Sequence, residues 1–295
     1  MSSSGNTSRL DFARKYIQLA PIGTGGFGSV YSGYRVADLL PVAIKHVPRK
    51  DIGFEQVVCN GKVYNVILEV ALMLKATGLT ESVGQSAAVS LFDWFILEDE
   101  LILVMERPAF CKDLHSYLKA HRGPLDEREA KIILRQLVDA AIDMHSKGVF
   151  HRDIKLQNIL VQFNYEEPRV RVIDFGCGNF STEESYFTLC GTPAYFPPEW
   201  FDYRTYWARP TTVWQLGVLF YSLLSAHEHF KTTDFISNHI HISSTLSTDC
   251  KILLNMCLTR DPAERATLEE LQLCPALRET RPQTNQTCTC PTLLQ

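Results

Sequence analysis

From Tyr16 onward, apolar and polar residues alternate with the period of two expected of half-buried strands. Tyr16-Ile17-Gln18-Leu19, Ser29–Val36, Val42-Ala43-Ile44, Ala88–Phe95 and Leu101–Met105 predict a mainly antiparallel sheet, with Glu98-Asp99-Glu100 as the turn between the last two. Within this β-rich part, Gly53–Gly61 reads as a linker into one helix over Lys62–Lys75, whose face is Val66, Val70, Met73 and Leu74. The period then lengthens. Asp126 with Glu129 resembles a capping box opening a helix with the face Ile133, Leu137, Ala141 and Met144, stopped by Gly148. Val170–Ile173 is a short strand, Val213–Leu224 is apolar enough for a buried central helix, and Thr267 with Glu270 caps a last one. The class is α+β: a small β lobe with one key helix, and a larger mainly helical lobe. The lobes span 16–105 and 111–278 and are joined by a hinge over 106–110. Residues 1–15 read as a flexible lead-in and 279–295 as a disordered tail. There is no internal repeat.

Composition changes this picture little. At 295 residues, 45% hydrophobic and 21% charged, the chain can bury a core. A formal net charge of −4 gives no electrostatic reason to expect nucleic acid or an anionic membrane as partner. No apolar run is long enough to cross a bilayer, and the polar N-terminus has neither a signal-peptide core nor a myristoylation pattern. The nine cysteines form no regular framework, and Cys288 and Cys290 are too isolated for a zinc site. Reduced thiols are expected, hence the cytoplasm, with the nucleus as the other reducing compartment.

The chemistry sits in His151-Arg152-Asp153-Ile154-Lys155-Leu156-Gln157-Asn158, followed by Asp174-Phe175-Gly176. This order and spacing is the signature of phosphoryl transfer to a hydroxyl, a reaction that asks for positioning and charge neutralisation rather than covalent chemistry. Asp153 is placed to receive the acceptor proton, and Asn158 and Asp174 to hold Mg2+ against ATP. Upstream, Ile22-Gly23-Thr24-Gly25-Gly26-Phe27-Gly28 is a weak motif alone, because dinucleotide-binding folds share it. There a helix follows the glycines, whereas here Ser29–Val36 reads as a strand. A strand-turn-strand flap over phosphates results, with Gly23, Gly25 and Gly28 letting backbone approach the oxygens. Lys45 of Val42-Ala43-Ile44-Lys45 is the expected ligand of the α/β-phosphates, aimed by Glu69, with Glu55 the weaker choice. Ile22, Val30, Ala43 and Leu160 are candidates to sandwich adenine. In the hinge Glu106-Arg107-Pro108-Ala109-Phe110, Pro108 lacks an N–H, leaving the Glu106 carbonyl to accept from the adenine amino group. Arg265 is the expected ion-pair partner of Glu199.

From about Tyr16 to Leu277 the chain resembles the protein kinases, which implies the bilobal kinase fold, and within them it looks most like the Pim serine/threonine family. Gly25–Gly33, Leu40–Val47, Asp93-Trp94-Phe95, Glu106-Arg107-Pro108 and Pro198-Glu199-Trp200 carry that likeness. The resemblance implies activity without prior loop phosphorylation and protein substrates with Ser or Thr near basic residues. Lys155 and Gly191-Thr192-Pro193 belong to the Ser/Thr pattern. By that likeness Lys155 steadies the transferring phosphoryl group and Thr192 helps hold the catalytic loop. Nothing suggests more than a monomer.

Four departures stand out. Gln157 replaces an acidic residue, forfeiting a charge-assisted pair with a substrate Arg. Ser116 and His227-Glu228-His229 leave Asp113 and Glu228 as the remaining acids, so a weakened basic preference is expected. Phe187-Thr188-Leu189-Cys190 lacks the acidic loop residues of Pim kinases. A phosphate on Thr188 would put about −2 charge beside Arg152; an unmodified surface Thr is the alternative. Thr212 stands where most kinases have an Asp that orients the catalytic loop; the Pim resemblance implies that a small neutral residue is tolerated there, so this reads as a family trait. The competing reading is a nucleotide-binding pseudokinase scaffold, which would lack one of Lys45, Asp153, Asn158 or Asp174; none is lost. His145, Cys257, Trp94, Trp200 and Trp214 are expected to be packing residues, and Tyr203, Tyr206 and Trp207 a core edge.

Overall fold

The computed structural model describes residues 8–278 except 26, 27, 60, 79–82, 122 and 226–229. Its first lobe is a five-stranded antiparallel sheet in the order β1 (Tyr16–Gly25), β2 (Gly28–Arg35), β3 (Pro41–Pro48), β7 (Glu100–Glu106) and β6 (Leu91–Ile96). Alternation decides which way each side chain points. Val42, Ile44, Phe95, Ile102 and Val104 face outward from the lobe interface, while Val47, Leu101, Leu103 and Met105 join the core shared with the second lobe. Pro41 and Pro48 bracket β3, where neither interrupts the interior of the ladder.

The apolar middle of the outer face is shielded from water. It is covered by α1 (Arg9–Lys15), whose Phe12 ring packs edge-on against Phe95 with centroids 5.4 Å apart. Ser8 caps this helix by accepting from the Leu10 N–H, and Lys15 reaches Asp93 at 3.0 Å. The expected flexible lead-in is therefore corrected over these residues. Its Ser-rich composition hid a capped turn that is stabilised by the one aromatic it buries.

A second correction concerns Gly53–Gly61 and the helix expected over Lys62–Lys75. β4 (Phe54–Cys59) and β5 (Lys62–Ile67) form a hairpin in which Cys59 pairs with Lys62, and the helix α2 (Leu68–Thr77) starts six residues late. Val57-Val58 and Val63-Tyr64 are strand formers, and Gly61, just before β5, has φ +73°. The periodic apolar positions at 66, 70, 73 and 74 belong partly to β5 and partly to α2. The expected strand from Ala88 also begins later, at Leu91, because Ala87, Ala88 and Val89 instead bond across to Val172 of the second lobe.

The second lobe is built on α4 (Glu127–Ser146) against α6 (Ala208–Ser225), with α3 (Leu114–His121) beside them. Asp126 caps α4 through the Arg128 N–H at 2.9 Å, but Glu129 turns away to accept from the Tyr117 hydroxyl at 2.6 Å. The expected capping box is thus half formed. Gly148 ends this segment at φ +71°. α6 is buried along almost its whole length, so it reads as apolar all round. α5 (Pro198–Tyr203), α7 (Thr232–Ile236), α8 (Thr248–Cys257), α9 (Leu268–Leu273) and α10 (Pro275–Arg278) complete the shell. The capping box of Thr267 and Glu270 is complete. Glu199 and Arg265 pair at 2.8 and 3.1 Å with both side chains fully buried. Cys257, Trp214 and Tyr206 are core residues, whereas Tyr203 and Trp207 are exposed. Among the described residues no helix is long and apolar enough to cross a membrane. The tail from 279, with Cys288 and Cys290, and the Glu228 stretch lie outside the described residues.

Candidate active site

Short strands between the lobes position the candidate residues. β8 (Cys111–Asp113), β10 (Ile159–Gln162) and β11 (Arg169–Val172) form one sheet, and β9 (Val149–Phe150) pairs with β12 (Asn179–Phe180). The loop 151–158 leaves β9 and enters β10, and Asp174-Phe175-Gly176 leaves β11. Two β-ladders, β9 with β12 and β10 with β11, thus hold both motifs side by side.

The loop is fastened atom by atom. His151 Nε2 donates to the Ile173 carbonyl at 3.0 Å, leaving Nδ1 to accept the Asp153 N–H at 3.3 Å. Burial lowers the His151 pKa, and its neutral ring packs on Phe175 with centroids 4.9 Å apart. Asp153 Oδ1 accepts from the Thr192 N–H at 2.9 Å and from its hydroxyl at 2.7 Å. Oδ2 accepts from Asn158 Nδ2 at 3.1 Å and lies 2.7 Å from Lys155 Nζ. Lys155 also donates to the Thr192 hydroxyl at 3.0 Å. Both hydrogens of the Asn158 amide are engaged by Asp153, since Nδ2 also donates to the Asp153 carbonyl at 2.9 Å. The amide Oδ1 is left as the hard oxygen for a cation.

Lys45 closes the other half of the site. Its Nζ donates to Glu69 Oε1 at 2.6 Å and to Asp174 Oδ1 at 2.7 Å. Burial works against this charge, yet the two carboxylates outweigh it and hold the Lys45 pKa above the usual lysine value. Asp174 is correspondingly held below the usual carboxylate range: burial opposes this, and Lys45 prevails. Glu55 is exposed on the hairpin and takes no part. An ionised Asp174 and the Asn158 amide oxygen are the hard donors that suit Mg2+, which keeps further positions for water and phosphate oxygens.

Of the residues expected around a nucleotide, Ile22 and Gly23 lie on β1, Gly25 ends it, and Gly28 and Val30 begin β2. Gly28 has φ +136°, and a Cβ there would meet the His46 carbonyl oxygen at 1.9 Å. Ala43 sits opposite Met105, and Leu160 opposite Asp113. The Glu106 N–H donates to the Ser90 carbonyl at 2.8 Å, and its carboxylate turns back to Arg171. Leu156 is buried, Gln157 is exposed, and Ser116 donates its N–H to Asp113. Thr188 presents its side chain to solvent, while its carbonyl accepts from Arg152 at 2.5 Å and from the Tyr206 hydroxyl at 2.7 Å.

Thr212 does not reach the catalytic loop. Its hydroxyl meets the Ala208 carbonyl at 3.0 Å and His145 Nε2 at 2.9 Å. Gln215, one turn further along α6, contacts the loop instead, and sequence reading passed over it. The signal was present as an amide inside an apolar helix, where burial demands partners.

The family described as protein kinase domain matches residues 16–275. The chain is 38% identical over 271 residues to serine/threonine-protein kinase pim-2 of Danio rerio, covering 91% of this chain and 86% of that one. It is 31% identical over 275 residues to serine/threonine-protein kinase prk-2 of Caenorhabditis elegans, covering 91% of this chain but 60% of that one. Against the PAS domain-containing serine/threonine-protein kinase of Mus musculus it is 30% identical over 263 residues and spans 18% of that protein's length. The chain belongs to the protein kinase family, among its Pim-like serine/threonine kinases.

Proposed function

We propose that this kinase binds ATP with Mg2+ between its lobes and, as a monomer, transfers the γ-phosphate to Ser or Thr of protein substrates. The observation that carries this is the Asp153 carboxylate, held by Thr192, Asn158 and Lys155 while Lys45 is simultaneously closed onto Glu69 and Asp174. Asn158 and Asp174 would hold Mg2+, which neutralises charge on the phosphates. Lys45 meets the α/β-phosphates under the flap carrying Gly23, Gly25 and Gly28. Ile22, Val30, Ala43 and Leu160 enclose adenine, and the Glu106 carbonyl accepts from its amino group. Asp153 orients the acceptor hydroxyl and takes its proton, while Lys155 lies beside the oxygens of the group in transit. Thr192 keeps both groups in place.

Substrate choice follows from the exposed residues. Gln157 and Ser116 offer no charge to an arginine, so Asp113 carries the basic preference in this part of the surface, and that preference is weak. Free thiols at Cys111, Cys177, Cys190, Cys250, Cys257 and Cys274 suit a reducing compartment, and we assign the protein to the cytoplasm.

Phosphotransfer to an arrayed peptide library, run beside Asp153→Asn, tests activity and specificity together. Wild type should label Ser and Thr peptides with shallow Arg selection, and the variant should be silent. Equal labelling by the two proteins would defeat the catalytic reading.

A further inference from the structure

The three residues that flank and include the proton acceptor are gripped by one side-chain amide. Gln215 Nε2 donates to the Arg152 carbonyl at 2.7 Å, and Gln215 Oε1 accepts from the Ile154 N–H at 3.2 Å. Asp153 lies between those two backbone groups. Gln215 is 2% exposed, so neither bond is exchanged for water. We infer that Gln215 is the positioning residue for the catalytic loop, doing from one turn along α6 what an Asp at position 212 would do. This inference rests on the phosphotransfer reading above.

Three features argue for it. First, Arg152 has φ +66°, a conformation that a long side chain adopts only where its surroundings impose it. A partner for the Arg152 carbonyl is therefore part of what holds the turn. Second, the two contacts need opposite chemistry, a donor for the carbonyl and an acceptor for the N–H. An amide presents both ends at once, whereas a carboxylate has no hydrogen to donate. The same pairing fixes which end of the amide is nitrogen. Third, Thr212 is already engaged by Ala208 and His145, and His145 Nδ1 continues to the Ser181 hydroxyl at 3.0 Å. Thr212 thus belongs to a separate chain of bonds joining α4 to the segment after β12. The two functions that one buried carboxylate could serve are split between two neutral residues, three positions apart on one helix.

Because Gln215 touches backbone and neither nucleotide nor acceptor, its loss should act on turnover rather than on ATP binding. Gln215→Met keeps the volume and removes both bonds. Its kcat should fall about 10- to 100-fold, the effect of a small displacement of a positioned group. KM for ATP and the melting temperature should stay near wild type, and Thr212→Ala should keep kcat within about twofold. The inference is overturned if Gln215→Met retains its kcat, if Thr212→Ala is equally damaging, or if kcat, KM for ATP and melting temperature all worsen together. Should Gln215→Met not fold, Gln215→Glu, which keeps the acceptor and loses the donor, replaces it. A lowered kcat then supports the inference and an unchanged one sinks it. Wild type labelling no better than Asp153→Asn would instead defeat the phosphotransfer reading itself, and this inference with it.

Discussion

Arg171 of β11 forms a two-pronged ion pair with Glu106 at the start of the hinge, Nη1 to Oε1 and Nη2 to Oε2, each at 2.7 Å. The Arg171 side chain is 2% exposed and that of Glu106 10%, so the pair is a buried tie between the lobes. The Glu106 carboxylate also accepts the Ser90 N–H at 3.1 Å.

Removing one partner should be much worse than removing both charges. Arg171→Met leaves a carboxylate with its cation gone, which costs about 3–5 kcal/mol in comparable buried pairs. Adding Glu106→Gln should recover a substantial part of that loss. Chemical denaturation of the single and double variants reads this directly; a double variant as unstable as the single would contradict it. Burial alone would raise the Glu106 pKa, but Arg171 prevails and holds it below the usual carboxylate value. This contribution to stability is therefore complete above the unfolded carboxylate pKa and is lost as the pH falls through the folded one.

Gly191 should tolerate no side chain. Its φ is +105°, and a Cβ would lie 2.6 Å from the Arg152 carbonyl oxygen and 3.4 Å from Asp153 Oδ1. Gly191→Ala should lower kcat at least about tenfold by displacing the loop that carries Asp153. ATP affinity should change little. Steady-state kinetics with calorimetric ATP titration checks the split, and full activity in the variant would refute it.

His145 makes acid destabilising. Burial first, and then the nearby Arg209, hold its pKa down to about 4 from the ordinary 6.5. The unfolded chain therefore binds a proton at a pH where the folded one does not, and stability falls as the pH drops from 6.5 to 4. Below that window the loss levels off, at on the order of 3 kcal/mol from this residue. The slope of unfolding free energy against pH should be shallower in His145→Leu than in wild type. His151, also kept neutral by burial, contributes in both proteins. Parallel slopes would exclude the assignment.

Cys190 should be the most reactive described cysteine. The neighbouring Cys177 thiol, and next the Arg152 charge, outweigh partial burial and hold its pKa below the usual thiol value. Cys177 is pushed up by the same contact. Since the thiolate is the nucleophile, limited iodoacetamide at neutral pH should label Cys190 first, and Cys177→Ala should slow that labelling. Mass spectrometry of the labelled peptides decides; an unchanged rate in Cys177→Ala would remove the thiol contact as the cause.

The legible residues and the hidden ones differ in kind. Asp153, Asn158 and Asp174 lie in runs whose spacing is itself the geometry, because a tight loop entering a strand brings them together without help from distant residues. The Glu199–Arg265 pair was legible because each stands in a recognisable local setting. Phe12 was not, since a single aromatic in a polar stretch becomes a helix only by covering the outer face of the sheet. The hairpin of β4 and β5 was not legible because its apolar positions also fit a helix, and short apolar patterns do not distinguish the two.

The sequence by itself determined the reaction class, since it contains Lys45, Asp153, Asn158 and Asp174 in a fixed order, and it determined the two-lobed α+β plan through a change of period near the hinge. What only the tertiary structure decided is how those groups are held. Thr212 is neutral and faces His145, Gln215 grips the loop from the next turn, and Arg171 secures the hinge from a strand sixty-five residues away. A motif is local and survives in one dimension. Support from behind requires burial, and burial pairs whichever donor and acceptor the packing of helices and strands leaves opposite one another.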